Sequence, residues 1–210
     1  MRITAIKSYS LLLSMFSLCH VIPATAVPVQ AAEPVLHTGA LPPTVNAPSF
    51  SDVPTLRVFN SIEGGFSILL PSSPTVETHI LSASTEIIHL FHCRVKHESY
   101  IIEYMDKDPK GIRTLGPDKM LSILDEAVVK VNRGSVISSR HIVLGKYPGR
   151  EIVTRRLSGN KETQRMYLVA NRLYILTVTH PPTQTEALRT NSGKFLDSFT
   201  LLSAKLTDRK

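Results

Sequence analysis

Pro117-Asp118-Lys119-Met120-Leu121-Ser122-Ile123-Leu124-Asp125-Glu126-Ala127-Val128-Val129-Lys130-Val131-Asn132-Arg133 decides the fold. Met120, Leu121, Leu124, Ala127, Val128 and Val131 recur at helical spacing and make one apolar stripe. Pro117 suits the first helical position, where no N–H is needed. Asp118 suits the positive end of the helix dipole, and Lys130 and Arg133 the negative end. Gly134 is placed to supply a left-handed cap. Each larger side chain of the stripe gains roughly 1.5–3 kcal/mol on burial, before entropy is counted. Such a helix needs an apolar surface to lie on.

The flanking sequence offers that surface. Upstream, Leu56–Asn60 and Phe66–Leu70 read as a hairpin joined through Glu63-Gly64-Gly65, whose glycines allow positive φ. Pro71 to Pro74 is a turn, and Val76–Leu81, Glu86–Val95 and Ser99–Met105 follow as strands. Asp106 to Gly116 reads as a polar loop. Downstream, Val136–Leu144 leads into Lys146-Tyr147-Pro148-Gly149, which has Pro and Gly where a type II turn requires them. Arg150–Leu157 turns through Ser158-Gly159-Asn160 into Glu162–Ala170, and Asn171 turns the chain into Leu173–Thr179. Pairing residue 157 with 162 sets Ile152 opposite Tyr167 and Val153 opposite Met166. Pairing 170 with 173 sets Leu168 opposite Ile175 and Tyr167 opposite Leu176. Both faces of this meander are then apolar, so both need cover. A second, weaker helix is expected between Thr183 and Phe199. The order strands, helix, strands, helix argues for an α+β fold, a mostly antiparallel sheet packed between helices. One domain over 55–204 accounts for all of it, with no internal repeat.

The chain ends carry a different message. Arg2 and Lys7 precede an uncharged, mainly apolar run from Ser8 to Ile22, then Pro23 and the small residues Ala24-Thr25-Ala26, which is the pattern of an export signal. The run is roughly 15 residues, short of the ~20 that cross a bilayer. Residues 1–26 are therefore expected to be cleaved, with Val29-Gln30-Ala31 as a second site, leaving no membrane span. Residues 27–54 form a proline-rich linker, and 205–210 a basic tail. Cleavage removes two of the 24 basic residues and none of the 17 acidic ones, leaving a net charge of +5. That balance does not demand a nucleic-acid partner. Cleavage also removes Cys19, leaving Cys93 alone, so a disulfide-free core is expected.

The stretch Gly65-Phe66-Ser67-Ile68-Leu69-Leu70-Pro71-Ser72-Ser73-Pro74 resembles the opening hairpin of small secreted bacterial domains of uncharacterised function. Tyr147-Pro148-Gly149-Arg150-Glu151, Asn171-Arg172-Leu173-Tyr174 and Phe195-Leu196-Asp197-Ser198-Phe199 match later landmarks of that group in order. The resemblance covers roughly residues 56–202 and implies a PsbP-like α-β-α sandwich. PsbP proteins bind photosystem II on the lumenal side. No residue here matches that interaction, so the resemblance implies fold and not activity.

The chemistry-bearing residues form few patterns. His89 and His92 are three apart on a strand and point to opposite faces; His92 and His97 converge only across a turn. No zinc-type spacing occurs, and no Gly-x-Ser-x-Gly elbow. Glu103, Asp106 and Asp108 are the carboxylates on which acid–base work would rest, though Asp106-Lys107-Asp108 lacks the distal Glu of a calcium loop. Cys93 sits in an alternating strand as a core residue. Arg150, Arg155, Arg156, Lys161 and Arg165 fall on one hairpin, near Arg140 and Arg172. In the register above Arg156 and Arg165 share a face. Arg150, Arg156 and Arg165 are thus the candidate anion site, since guanidinium forks fit carboxylates and phosphates. With no Trp and no interleaved aromatics, base stacking is not expected.

The expectation is an exported, periplasmic or extracellular, non-enzymatic binding or accessory domain. Its partner would be an envelope protein or an anionic ligand, with no cofactor. The alternatives are a small extracytoplasmic hydrolase or metal-dependent enzyme, and an anion-binding module on the arginine hairpin.

Overall fold

The computed structural model describes residues 54–81, 86–95, 98–132, 134–183 and 185–202. The expected signal peptide, the expected linker up to residue 53 and the expected basic tail lie outside the described residues. In chain order the elements are β1 (Arg57–Ser61), β2 (Phe66–Leu70), β3 (Thr75–Ile80), β4 (Ile87–Val95), β5 (Glu98–Asp106), α1 (Pro109–Leu115), α2 (Pro117–Asn132), β6 (Ser135–Leu144), β7 (Tyr147–Arg155), β8 (Lys161–Val169), β9 (Arg172–His180), α3 (Glu186–Asp197) and β10 (Thr200–Leu201).

Among the described residues, seven strands make the main sheet, in the order β3-β4-β5-β9-β8-β7-β6, with every neighbouring pair antiparallel. β1, β2 and β10 form a second, three-stranded sheet. The α+β class expected from the helix and its flanks therefore holds. Because strand side chains alternate, the main sheet has two buried faces. On one, Leu121, Leu124, Ala127 and Val128 of α2 meet Met105, Ile152, Met166, Leu168, Leu173 and Ile175. On the other, Tyr100, Ile102, Tyr104, Tyr167, Tyr174, Leu176 and Val178 meet Phe66, Ile68 and Leu70 of the small sheet and Phe195 and Leu196 of α3. The second cover is thus a sheet plus a helix, where the sequence pointed to a helix alone.

Four local expectations are corrected. The polar loop over 106–116 contains α1. Asp108 caps it by accepting from the Lys110 amide at 3.0 Å, Pro109 opens it, and Gly116 ends it at φ 77°. No α1 side chain is buried, so it carries no apolar period to read. The turn expected at Tyr147-Pro148 is instead Gly145-Lys146, with Leu144 opposite Tyr147 and Gly145 at φ 60°. Pro148 is tolerated within β7 because pairing with β8 begins only at Gly149.

The β7–β8 register differs by three residues. Arg155 pairs with Lys161 across a five-residue loop closed by Arg156 N–H to Asn160 O at 2.8 Å and Gly159 N–H to Arg156 O at 2.9 Å. An odd shift exchanges faces, so Ile152 opposes Gln164 and lies under α2, not beside Tyr167. The β8–β9 register differs by two, with Val169 opposite Arg172, which keeps every side chain on its expected face.

Gly149 shows how tightly these strands lie. A Cβ there would sit 2.6 Å from Met166 O and 2.6 Å from a Tyr167 ring carbon. Gly149→Ala is expected to cost about 1–3 kcal/mol through overpacking, read as a lower urea midpoint. An unchanged midpoint would mean that β8 moves aside freely.

Candidate functional site

The corrected register separates the three candidate arginines. Arg165 faces α3: its Nε donates to Glu151 Oε2 at 2.6 Å and its Nη1 to Asp197 Oδ1 at 2.7 Å. Arg140 Nε donates to the other Glu151 oxygen at 2.7 Å. Burial pushes the Glu151 carboxyl up, but the Arg140 and Arg165 guanidiniums outweigh it and hold the group below the usual carboxylate range. Arg150 lies on the opposite face, its Nε 3.1 Å from Asp125 Oδ2 of α2, an oxygen that also accepts from Ser139 Oγ at 2.9 Å. Arg156 pairs with Glu162, which also accepts from Gln164 Nε2 at 3.0 Å and Thr179 Oγ1 at 3.2 Å. Glu162 shares the α2 side with Met166 and Leu168 by strand alternation, so the expected common face of Arg156 and Arg165 is corrected. Each of Arg150, Arg156 and Arg165 holds a different carboxylate.

The carboxylates near the end of β5 divide in the same way. Glu103 is buried on the sheet face toward α2, while Asp106, three residues on, belongs to the other face. Arg172 grips Asp106 with both prongs of its fork, Nε to Oδ1 at 2.7 Å and Nη2 to Oδ2 at 2.8 Å. Those hydrogen bonds hold the Asp106 carboxyl below its ordinary value. Asp108 is the α1 cap. His89 and His92 lie on opposite faces as expected, and His97 lies outside the described residues. Among the described residues, no three His, Cys, Asp or Glu side chains form a group that could hold a metal ion. Cys93 is buried in the aromatic core, and burial pushes its thiol up.

His180 is buried opposite Lys161. Burial first and the Lys161 ammonium second lower its imidazole to about 4 from 6.5. Folding therefore favours the neutral ring. That stability is fully present above pH 6.5 and drains away as the pH falls from 6.5 toward 4, by roughly 2–3 kcal/mol in all. His180→Gln is expected to flatten this acid limb in urea unfolding followed between pH 7 and pH 4. Parallel limbs for the two proteins would refute it.

The residues that do converge come from four distant stretches. Tyr104 of β5 is almost fully buried and stacks on His89 of β4, with ring centroids 4.4 Å apart and planes at 11°. The Arg172 guanidinium lies 4.7 Å from the Tyr104 ring centre, within range of a cation–π attraction. Arg172 Nη1 also donates to Glu63 O at 3.0 Å, and the Tyr174 hydroxyl donates to Gly64 O at 2.7 Å, so the β1–β2 turn is tied down over the stack. Gly64 fits because a Cβ there would meet the Phe66 ring at 2.6 Å. The Tyr104 hydroxyl is buried and has no hydrogen-bond partner among the described residues. Burial first, and Glu63 next, push it up to about 12. Ile62, in the same turn, is 84% exposed, and Ile87, two residues before His89 on the same face, is 46% exposed. An aromatic and guanidinium stack bordered by exposed isoleucines has the composition of a protein-binding surface. The sequence signal for it was the aromatic alternation Tyr100, Ile102, Tyr104, which marked a core strand and not a surface.

No family model matches the chain, and no curated protein sequence does. Among solved structures it is similar to the solution structure of cyanobacterial PsbP (CyanoP) from Synechocystis sp. PCC 6803. The TM-score is 0.52 at 9% identity, covering 75% of this chain and 98% of that chain. At this identity the likeness is one of fold, and it agrees with the PsbP-like architecture expected from the hairpin and turn landmarks.

Proposed function

We propose that the chain is an exported accessory domain without an enzymatic role. It binds a protein of the cell envelope, in the periplasm or outside the cell, through the end of the sandwich built around Tyr104. The observation that carries this reading is the His89–Tyr104–Arg172 stack with exposed Ile62 and Ile87 beside it. The PsbP-like fold and the export pattern of residues 1–26 support it. A hydrolase has less support, because Asp106 is bound to Arg172 and Asp108 caps a helix. An anion module at Arg150, Arg156 and Arg165 has less support, because each guanidinium already holds a carboxylate.

The test is retention of envelope proteins on immobilised protein, wild type against Ile62→Asp. Leu157→Asp serves as a control, since Leu157 is equally exposed at 83% but sits on the β7–β8 loop. A partner held by wild type and the control and lost by Ile62→Asp is the expected result. A partner held by all three, or by none, overturns the reading.

A further inference from the structure

β3 is the outer strand of the main sheet among the described residues, and it lacks the usual guards of an edge. Its sequence is Thr75-Val76-Glu77-Thr78-His79-Ile80. Val76 is 57% and Ile80 69% exposed, and the remaining side chains are exposed or half-buried. The strand has no bulge in its pairing with β4, no internal proline and no lysine. An edge of this kind presents a row of backbone donors and acceptors to any strand that fits. The opposite edge, β6, is guarded. Its register breaks between Val136 and Ser138, and Arg140 stands in its middle. Antiparallel self-pairing across that region would bring like charges close together.

What fits β3 is decided by its own order of residues. Turned antiparallel to itself about Thr78, the strand sets Thr78 against Thr78, Glu77 against His79 and Val76 against Ile80. Every cross-strand pair is then of a favourable kind: hydroxyl with hydroxyl, acid with imidazole, apolar with apolar. Glu77 and His79 already meet within one chain, with Nε2 3.0 Å from Oε2. In the paired arrangement each carboxylate lies between two imidazoles on one face of the sheet. Val76 and Ile80 lie on the other face, together with Ile87, which pairs with Ile80. A shift of one residue in the pairing would set Val76 against His79, or Glu77 against Ile80, and lose all of this.

We infer that β3 is a self-association edge. Two copies of this chain pair β3 with β3 about a two-fold axis at Thr78, joining two seven-stranded sheets into one continuous sheet. The contact adjoins the Tyr104 surface at Ile87 and leaves Ile62 and the β1–β2 turn free.

Six residues a side make a small interface, so sedimentation should be followed from about 1 μM to 1 mM. A reversible dimer is expected within that range. Thr78→Lys, which sets two ammonium groups face to face, should raise the dissociation constant by at least about tenfold. Cysteine scanning in a Cys19→Ser background then reads the register, with Cys93 buried. Facing residues of an antiparallel pair have Cα atoms about 4.5–5.5 Å apart, within reach of a disulfide. Thr78→Cys should therefore link two chains under mild oxidation. The two copies of position 77 would be about 8 Å apart, beyond that reach, so Glu77→Cys should not link. A monomer throughout the range, a dimer unchanged by Thr78→Lys, or linkage at 77 as fast as at 78 would each overturn the inference.

Discussion

Phe66→Ala lowers the stability of the domain by about 3–5 kcal/mol, the cost of emptying a fully buried aromatic site. Phe66 has no exposed surface and stands between the two sheets. Its ring centre lies 5.4 Å from Phe91, 5.7 Å from Phe199, and 6.2 Å from both Phe59 and Tyr174. Those partners come from β1, β4, β9 and the segment after α3, so no single element can close over the gap. Aromatic pairs at these spacings contribute about 0.5–1.5 kcal/mol each beyond area burial. The check is urea unfolding against Val58→Ala. Val58 is 67% exposed on the neighbouring strand, and its loss should matter by no more than about 0.5 kcal/mol. A Phe66→Ala cost near that of Val58→Ala would mean that the small sheet is not held by its aromatic layer.

Glu162→Ala is the second large effect, at about 3–5 kcal/mol. Glu162 is 1% exposed and takes hydrogen bonds from Arg156, Gln164 and Thr179. Removing it strands a mostly buried guanidinium and an amide that cannot recover water. The sign of the pairwise part can be isolated. Arg156→Met with Glu162→Leu removes both charges, and it should recover most of the stability that Glu162→Ala loses. If the double variant is as unstable as Glu162→Ala, the damage lies in the lost packing of β8 and not in an uncompensated charge.

The sequence was legible wherever one element speaks for itself. The α2 stripe, the alternating β4, β5 and β9 and the Gly64-Gly65 hairpin each carry a local period or a local turn, and together they force an α+β sandwich. Registers were not legible, because they depend on loop closure. The β7–β8 loop is held by hydrogen bonds among Arg156, Gly159 and Asn160, and one residue more in that loop decided which face Ile152 and the arginines occupy. That single choice turned an apparent anion cluster into separate ion pairs. The Tyr104 surface was invisible for another reason. Its Asp106–Arg172 bond spans 66 residues and its Arg172–Glu63 bond spans 109, and no pattern within one element encodes such meetings.

The strand order of the small sheet also sets a timetable. β2 lies between β1, its neighbour in sequence, and β10, close to the last described residue. Ser198 Oγ accepts from the Leu69 amide across 129 residues, and the Leu202 amide reaches back to Gly65 O at 2.9 Å. Until those late residues have been synthesised, Phe66, Ile68 and Leu70 lack Phe195 and Phe199 above them. A chain closed by its two ends stays open along its most aromatic seam while it is being made. Contacts of such long range also form slowly. On the export proposed above, a machine that threads an unfolded chain would find this one still unfastened.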